Sequence, residues 1–424
     1  MEYKKFVISV ALVATSSFGE SKLSDTTVLS GDIRAMYYAE DDGTNNENAF
    51  GIGLNPSITR DSLLSDKLIW EIGAGAAIPL TESSEGYTAE AGMAQAGTIA
   101  YGDDGAKASE GYVTLTQLNG TYDYGGGRVK VGYQLMDTPM PEKDDIRLVP
   151  NSYLAGVVDY RGIDTVVLIA GYVAQMAGAV DSSASEDSHA YQSMSDAAVG
   201  GMLAEAGLGD NSDVKDRGVS VAAVVYAEEK SGISAQFWRY YMEEPYEGMG
   251  DFLAMYADAG AAVGSVTISV QHMRYKNDVW MNTASGLMAE AEWGDFALTG
   301  AYNAYSVAVE KQNLANTLGV GDAPVPTWYA WGRYPEFVAG EEVDASMADW
   351  DGGSAYMLSG SYGGFQDLSL TLSYLSYSDA VNAVDAVAEV VVSEAASMLF
   401  IYESKDFESE DDTATLEIKA FYTF

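Results

Sequence analysis

The sequence predicts an all-β fold, a transmembrane antiparallel β-barrel of about 18 strands that occupies residues 20–424. Three observations predict it. Apolar and polar residues alternate with a period of two, the connections between such segments are alternately short and long, and the chain ends on an aromatic residue, Phe424. A wall residue that faces lipid must be apolar while its neighbour faces a watery lumen, so this period is typical of a barrel wall.

The composition excludes several classes of function before any strand is placed. The 424 residues include 63 acidic and 22 basic side chains, a formal net charge of -41, which repels nucleic-acid phosphates. We therefore exclude binding to DNA or RNA. The chain has no Cys, which excludes disulfides and thiolate chemistry.

Residues 1–19 have the pattern of a signal peptide. Lys4 and Lys5 precede an apolar stretch over residues 6–14, and Ser17 and Gly19 form a small-x-small cleavage site. We expect cleavage after Gly19. An exported chain with barrel strands and no apolar run of about 20 residues is predicted to lie in the outer membrane of a Gram-negative bacterium.

The strands follow from the alternation in chain order. In the first, Leu29, Ile33 and Tyr37 share one face while Asp32 and Arg34 occupy the other. The same pattern predicts strands near residues 28–39, 49–55, 67–78, 112–123, 128–136, 151–159, 165–176, 218–227, 233–242, 251–259, 265–273, 280–292, 296–305, 355–362, 368–376, 383–392, 397–403 and 413–424.

The connections give an independent test, because outer-membrane barrels have short periplasmic turns and longer external loops. Short connections are predicted at 125–127, 161–164, 293–295 and 363–367, and long ones at 79–111, 177–217 and 306–354. The strand at 383–392 is included because without it the two termini would lie at opposite ends. An open sheet edge in lipid would leave backbone groups unpaired, so the sheet is expected to close.

The long connections are rich in acidic residues, and two interpretations are open. They are solvated loops kept extended by repulsion, or they bind divalent cations. Asp349 and Asp351 offer carboxylates to calcium, although no complete EF-hand pattern is present. In either case an acidic mouth would concentrate cations. We expect no required cofactor, with calcium as the one candidate.

No catalytic motif is present, and His189 and His272 have no nearby residues that would complete a metal site. We therefore predict that the protein is not an enzyme.

The segment from Met136 to Tyr153, with its Asp-Thr-Pro and Asp-Asp-Ile-Arg elements, resembles a characteristic stretch of the Opr family, the OprD-like porins found in epsilonproteobacteria. Residues 29–34, 164–167, 293–296 and the last strand strengthen the resemblance. It implies an 18-stranded diffusion channel whose third external loop, residues 137–151 here, folds inward and narrows the pore. It also implies an acidic side of the constriction opposite basic side chains on the wall.

The resemblance, together with the parity of positions along each strand, predicts which residues form the constriction and the pore wall. In the loop they are Asp144, Asp145, Arg147 and Asn151; on the wall they are Asp32, Arg34, Glu71, Arg128 and Lys130. Alternatives remain for each group. The two loop acids could cap a turn and be neutralised by Arg147, Arg128 and Lys130 could lie at the periplasmic rim, and Asp32 with Arg34 could form a wall pair that contacts no solute.

The expected function is passive diffusion of ions and small hydrophilic solutes, with cations favoured because acids greatly outnumber arginines. The alternative is a surface-exposed barrel with a structural or adhesion role, in which loops 177–217 and 306–354 contact partners. The expected partners are outer-membrane lipid, lipopolysaccharide and small hydrophilic solutes, and a homotrimer is one option for the assembly.

Overall fold

A computed structural model describes residues 21–24, 26–41, 46–61, 67–80, 112–141, 143, 148–177, 191–195, 214–228, 232–309, 352–377, 381–407 and 412–424. Its strands are β1 (Ser21–Ser24), β2 (Thr27–Asp41), β3 (Asn46–Asp61), β4 (Leu68–Pro79), β5 (Tyr112–Asp123), β6 (Gly127–Gln134), β7 (Ser152–Ile163), β8 (Val166–Ala177), β9 (Gln192–Ser193), β10 (Val219–Glu228), β11 (Ile233–Met242), β12 (Phe252–Val263), β13 (Val266–Lys276), β14 (Trp280–Trp293), β15 (Phe296–Val309), β16 (Gly352–Phe365), β17 (Leu368–Tyr377), β18 (Val381–Ser393), β19 (Ala396–Phe407) and β20 (Thr413–Thr423).

The strands form one antiparallel sheet that closes on itself. Each wall strand pairs with the next along the chain, β8 pairs with β10, and β20 returns to pair with β2 from Asp32 opposite Thr423 to Asp41 opposite Ala414. Because the sheet is closed, no wall strand has an unpaired edge that would expose its backbone groups to lipid. The wall consists of β2 to β8 and β10 to β20, so the predicted closed barrel of 18 strands is confirmed, including the strand retained on parity, β18.

Two short strands were not predicted. β1 pairs with the start of β2, where Ser21 lies opposite Leu29, and β9 pairs with Gln175 and Met176 at the end of β8. Neither is long enough to show an alternating pattern.

The short turns lie at the same end of the barrel as the two ends of the wall. Gly31 and Phe424 exchange backbone hydrogen bonds of 2.8 and 2.9 Å there. The tight turns use left-handed residues, including Gly264 at φ 67° and Gly294 at φ 64°, a conformation that glycine adopts without a Cβ clash. The opposite end also has a brief connection at 277–279, so the predicted alternation of lengths is not strict.

The outer face of the wall is apolar and exposed. On β17, for example, Leu370 and Leu372 point outward at 40% and 60% exposure, while Ser373 on the other face is buried. Leu358 and Ile72 are 56% and 55% exposed in the same way. A band of apolar side chains around a closed sheet is the surface that a lipid bilayer solvates. In the described parts of the chain, no helix has the length and apolar character to cross a bilayer.

Candidate pore constriction

The third external connection folds into the barrel. Leu148 and Val149 are 0% and 2% exposed, and they pack against Met36, Tyr38 and Ala77 on the inner face of β2 and β4. The even positions of β2 and the odd positions of β4 face the lumen, as the pairing registers require. The inward-folded loop that the resemblance implied is therefore confirmed for residues 148–151.

Two glycines make room for this segment. A Cβ at Gly53 would lie well under 3.0 Å from the carbonyl oxygen of Leu148, and one at Gly75 would overlap a methyl group of Val149. The Asn55 side-chain amide, on the same strand as Gly53, donates to the Leu148 carbonyl at 3.0 Å. The loop is thus seated directly on the wall backbone, and a larger residue at either position would displace it.

The predicted wall pair Asp32 and Arg34 lies next to the place where the loop contacts the wall. The Arg34 Nε donates to Asp32 Oδ1 at 2.6 Å, and Arg34 is 5% exposed. The Asn55 amide also donates to Asp32 Oδ1, at 2.9 Å. Asn55 therefore connects the charged pair to the loop backbone. A contact of this pair with solute stays a prediction.

The loop also contacts a distant part of the wall. The N–H and the hydroxyl of Thr138 both donate to the Pro141 carbonyl, at 3.2 and 2.8 Å, and close a tight bend in the loop. Met136 and Met140, on either side of Thr138, belong to a buried cluster that we call the methionine cluster. It also contains Tyr153, Met176, Met194, Trp238, Tyr240, Met242, Met249, Phe252, Tyr256, Met273 and Tyr275. Because β11 to β13 and β2 to β4 are well separated around the wall, the loop extends across the lumen.

The predicted loop residues Asp144, Asp145 and Arg147 lie outside the described residues. Asn151 is described and is 1% exposed. Its N–H donates to the Lys143 carbonyl at 2.5 Å, which closes the part of the loop between these two residues. The structure therefore places Asn151 as a residue that fixes the end of the loop leading into β7.

The structure brings Glu71 and Lys130 together from β4 and β6, across β5. The Lys130 Nζ lies 3.2 Å from Glu71 Oε2, and the carboxylate also accepts from Gln117 at 2.9 Å and Asn119 at 3.2 Å. Amide and ammonium donors together therefore satisfy the hydrogen-bonding capacity of this carboxylate.

Arg128 lies elsewhere, at the end of the barrel with the short turns. It follows Gly127 at the start of β6, is 47% exposed at its side chain, and contacts Asp159 at 3.3 Å. Arg161 contacts the same carboxylate at 2.7 Å. The structure thus favours the rim alternative for Arg128 over a position opposite the loop.

Charged residues that the sequence analysis did not select line β18 to β20. Glu403 and Lys405 pair at 2.7 Å, and Glu417 and Lys419 pair at 2.5 Å. Asp385 lies opposite Glu403 in the sheet register. All five side chains point inward and are largely buried. The alternation of these charged residues with apolar ones predicts that they face the lumen, but it does not show which of them pair.

Two further inward carboxylates are held by neutral donors. Asp258 accepts from the Gln236 side-chain amide at 2.5 Å, and Glu290 accepts from the Thr299 hydroxyl at 3.3 Å. An amide or hydroxyl donor stabilises a carboxylate without cancelling its charge. These positions therefore add negative potential to the lumen.

The fourth external connection closes a seam in the wall where β6 ends. The Ser152 hydroxyl on β7 donates to the Thr116 carbonyl of β5. Tyr191 covers this joint, with its hydroxyl 2.5 Å from the Ser152 hydroxyl and donating to the Leu115 carbonyl at 2.8 Å. Burial raises the pKa of Tyr191. This role was missed because nothing in the local sequence links Tyr191 to residues 39 and 76 positions earlier.

The candidate calcium ligands Asp349 and Asp351 lie outside the described residues. Within the described ranges, no group of three or more His, Asp or Glu side chains is arranged to hold a metal ion.

The chain matches no family model and no curated protein sequence. Its fold is similar to solved structures. Pseudomonas aeruginosa OpdK, crystallised with vanillate, is 14% identical with a TM-score of 0.64, over 96% of this chain and 100% of OpdK. Pseudomonas aeruginosa OccK9 (OpdG) is 13% identical with a TM-score of 0.69, over 94% and 98%, and Acinetobacter baumannii OccAB1 is 13% identical with a TM-score of 0.68, over 96% and 99%. At these identities the likeness establishes the fold.

This arrangement has features that can select among solutes. A loop anchored at two walls narrows the passage, and the wall beside it presents charged pairs in a fixed register. Such an arrangement discriminates by size and by charge.

Proposed function

We propose that the protein is an outer-membrane porin through which ions and small hydrophilic solutes diffuse passively. The observation on which this depends is the third loop, seated across a charged lumen inside a closed barrel with an apolar outer face. The similarity in fold to OpdK, which is described as an outer-membrane protein, supports the same location. The neighbours also support an OprD-like relationship, whereas the epsilonproteobacterial type rests on the resemblance of residues 136–153 alone.

The lumen wall supports a preference for cations. Its described bases away from the rim, Arg34, Lys130, Lys405 and Lys419, each lie within salt-bridge distance of a carboxylate. Asp258 and Glu290 instead have neutral donors and keep an uncancelled charge. Summed over the passage, the field attracts cations and repels anions. OpdK was crystallised with vanillate, a carboxylate, so the two channels are expected to differ in this respect.

The proposed mechanism needs no cofactor. The loop sets the size limit, because Leu148 and Val149 occupy space inside the wall. Paired charges of opposite sign beside the loop, such as Asp32 with Arg34, would orient a dipolar solute as it passes. Diffusion then follows the concentration gradient.

Reversal potentials in a planar bilayer with a salt gradient test the proposal. We expect steady conductance steps and a potential of the sign that cation flow produces. The double substitution Asp258→Asn and Glu290→Gln should lower the ratio of cation to anion permeability by about twofold to fivefold, since one charge at about 4 Å through water contributes about 1 kcal/mol. Arg239→Gln, on the outer face, is the matched control and should leave the ratio unchanged.

Two outcomes would contradict the proposal at different levels. A clear anion preference would overturn the cation preference and leave the porin. A correctly folded barrel that passes no current would overturn the porin itself and favour the structural or adhesion alternative.

A further inference from the structure

A group of cationic side chains lies on the outer face of β11 and β13, toward the ends of these strands that are farthest from the short turns. Pairing registers place Arg239 of β11 opposite Met255 of β12, and Met255 opposite Arg274 of β13, so the two arginines lie in one row on either side of Met255. With neighbouring strands about 4.8 Å apart, their backbones are about 10 Å apart. Lys276 lies in the next row, on the same face as Arg274. We call Arg239, Arg274 and Lys276 the outer cationic patch.

The patch faces the surroundings of the barrel rather than the lumen. On β11 and β13 the alternate positions Trp238, Tyr240, Met273 and Tyr275 are buried in the methionine cluster, so the residues between them point outward. β11, β12 and β13 are described over their whole length, and their outward positions include no acidic residue. Three positive charges therefore occur on a surface whose other outward positions are apolar apart from Tyr241 and His272.

None of the three cations has a carboxylate within salt-bridge distance among the residues that the structure describes. The Arg239 guanidinium lies over the Tyr241 ring, 5.7 Å from its centroid. The Arg274 Nη2 donates to the Met281 sulfur at 3.0 Å, and its buried Nε has no hydrogen-bond partner within the described residues. In a chain with 63 acids and 22 bases, unpaired cations side by side are unexpected.

Three acids of the neighbouring connections are engaged with other groups. Asp251 accepts from the Tyr241 hydroxyl at 2.8 Å and from the Glu244 N–H at 3.1 Å. Glu243 lies 3.5 Å from Arg217, and Glu244 lies 2.5 Å from Lys215. These carboxylates belong to the connections above the barrel, so the patch itself keeps its positive charge.

The height of the patch identifies the leaflet it would meet. Ten residues separate Val266, beside a short turn, from Lys276. At about 3.4 Å per residue and a strand tilt of about 40°, this is about 26 Å along the membrane normal, close to the apolar height of about 25 Å in such barrels. Phe237 and Val270, below the patch, are exposed and apolar. The cations thus lie at the edge of the lipid band farthest from the short turns, in the external leaflet.

We propose that the outer cationic patch binds a phosphate group of lipopolysaccharide. A guanidinium that faces hydrocarbon is costly, whereas a phosphate at the leaflet boundary offers charge-assisted, bidentate hydrogen bonds that arginine is shaped to make. Two arginines separated by one strand, with a lysine beside them, can contact the same headgroup. This inference rests on the proposed placement in the outer membrane.

Titration of the detergent-solubilised barrel with purified diphosphoryl lipid A tests the site, with bound lipid counted by native mass spectrometry. The double substitution Arg239→Gln and Arg274→Gln should weaken binding about 25-fold, about fivefold for each arginine. The matched control is Arg60→Gln, another outward arginine at the end of the barrel with the short turns, and its affinity should stay within about twofold of the wild-type value. Arg274→Lys keeps the charge and should retain most of the affinity.

Equal lipid A affinity in the double variant and the wild type would overturn the site. Displacement by inorganic phosphate at the same concentration as lipid A would show a site for free anions and would overturn the assignment to the lipid. Conductance in a phosphatidylcholine bilayer reports on the proposed function separately, because it contains no lipid A. There the double variant should conduct like the wild type, and loss of current in both proteins would refute the porin without altering the binding result.

Discussion

The two walls that hold the third loop do so by different physical means. At β2 to β4 the loop backbone rests on Gly53, the Val149 side chain lies against Gly75, and the Asn55 side chain donates a hydrogen bond to the Leu148 carbonyl. At β11 to β13 the contact is the methionine cluster, in which flexible thioethers fill the space between aromatic rings. The first wall sets the position of the loop, because close backbone approach tolerates little variation. The second buries Met140 among methionines and aromatic rings, and methionine packing adapts to small shifts.

The largest expected effect is at the methionine cluster. Met140→Ala removes a side chain that is 2% exposed and should lower the free energy of unfolding by about 2–5 kcal/mol, since the site loses apolar contact and leaves a cavity. Met398→Ala, in the outer half of the alternation on β19, should cost about 1 kcal/mol or less because lipid replaces the lost contacts. Urea unfolding of the barrel in detergent measures both. Equal losses would show that Met140 does not secure the loop.

A smaller and more local effect is expected at Gly53 and Gly75, the two glycines against which the loop lies. Gly53→Ala should displace Leu148 and weaken the docking of the loop by about 1–3 kcal/mol, while the barrel stays folded. Single-channel conductance should rise, and limited proteolysis should cut the loop more readily. Gly300→Ala is the control, because a Cβ there meets nothing within 4 Å. If both variants conduct like the wild type, the segment at Leu148 does not limit the passage.

The strands of these two walls could be predicted from the sequence, but the contacts between distant residues could not. In β17 or β20 the alternation of apolar and polar residues is visible within a few positions. The strands, and the face on which each residue lies, could therefore be predicted. Gly53 and Leu148 are 95 positions apart, and nothing near Gly53 distinguishes it from the other glycines of the wall. Pairs such as Glu71 with Lys130, and the row formed by Arg239 and Arg274, depend on the register of the intervening strand. Register follows from closure of the whole sheet, which local patterns do not encode.

The smallest expected effect is in the ion pairs of the connections above the methionine cluster. The Lys215 Nζ and the Gly248 N–H both donate to Glu244, and the Lys215 hydrogen bond is the main cause that lowers the pKa of Glu244. A lowered pKa in the folded protein means that the contribution of Glu244 to local stability is complete above the ordinary glutamate value of about 4.3 and is lost as the pH falls through the lower folded value.

Amide exchange at Lys215 and Gly248 should therefore be constant from about pH 8 to pH 5, after correction for intrinsic rates, and should increase only below about pH 4. Glu244→Gln should remove this dependence while leaving exchange within β11 unchanged. A transition near neutral pH, or the same acid response in Glu244→Gln, would show that a different group controls the connections above this wall.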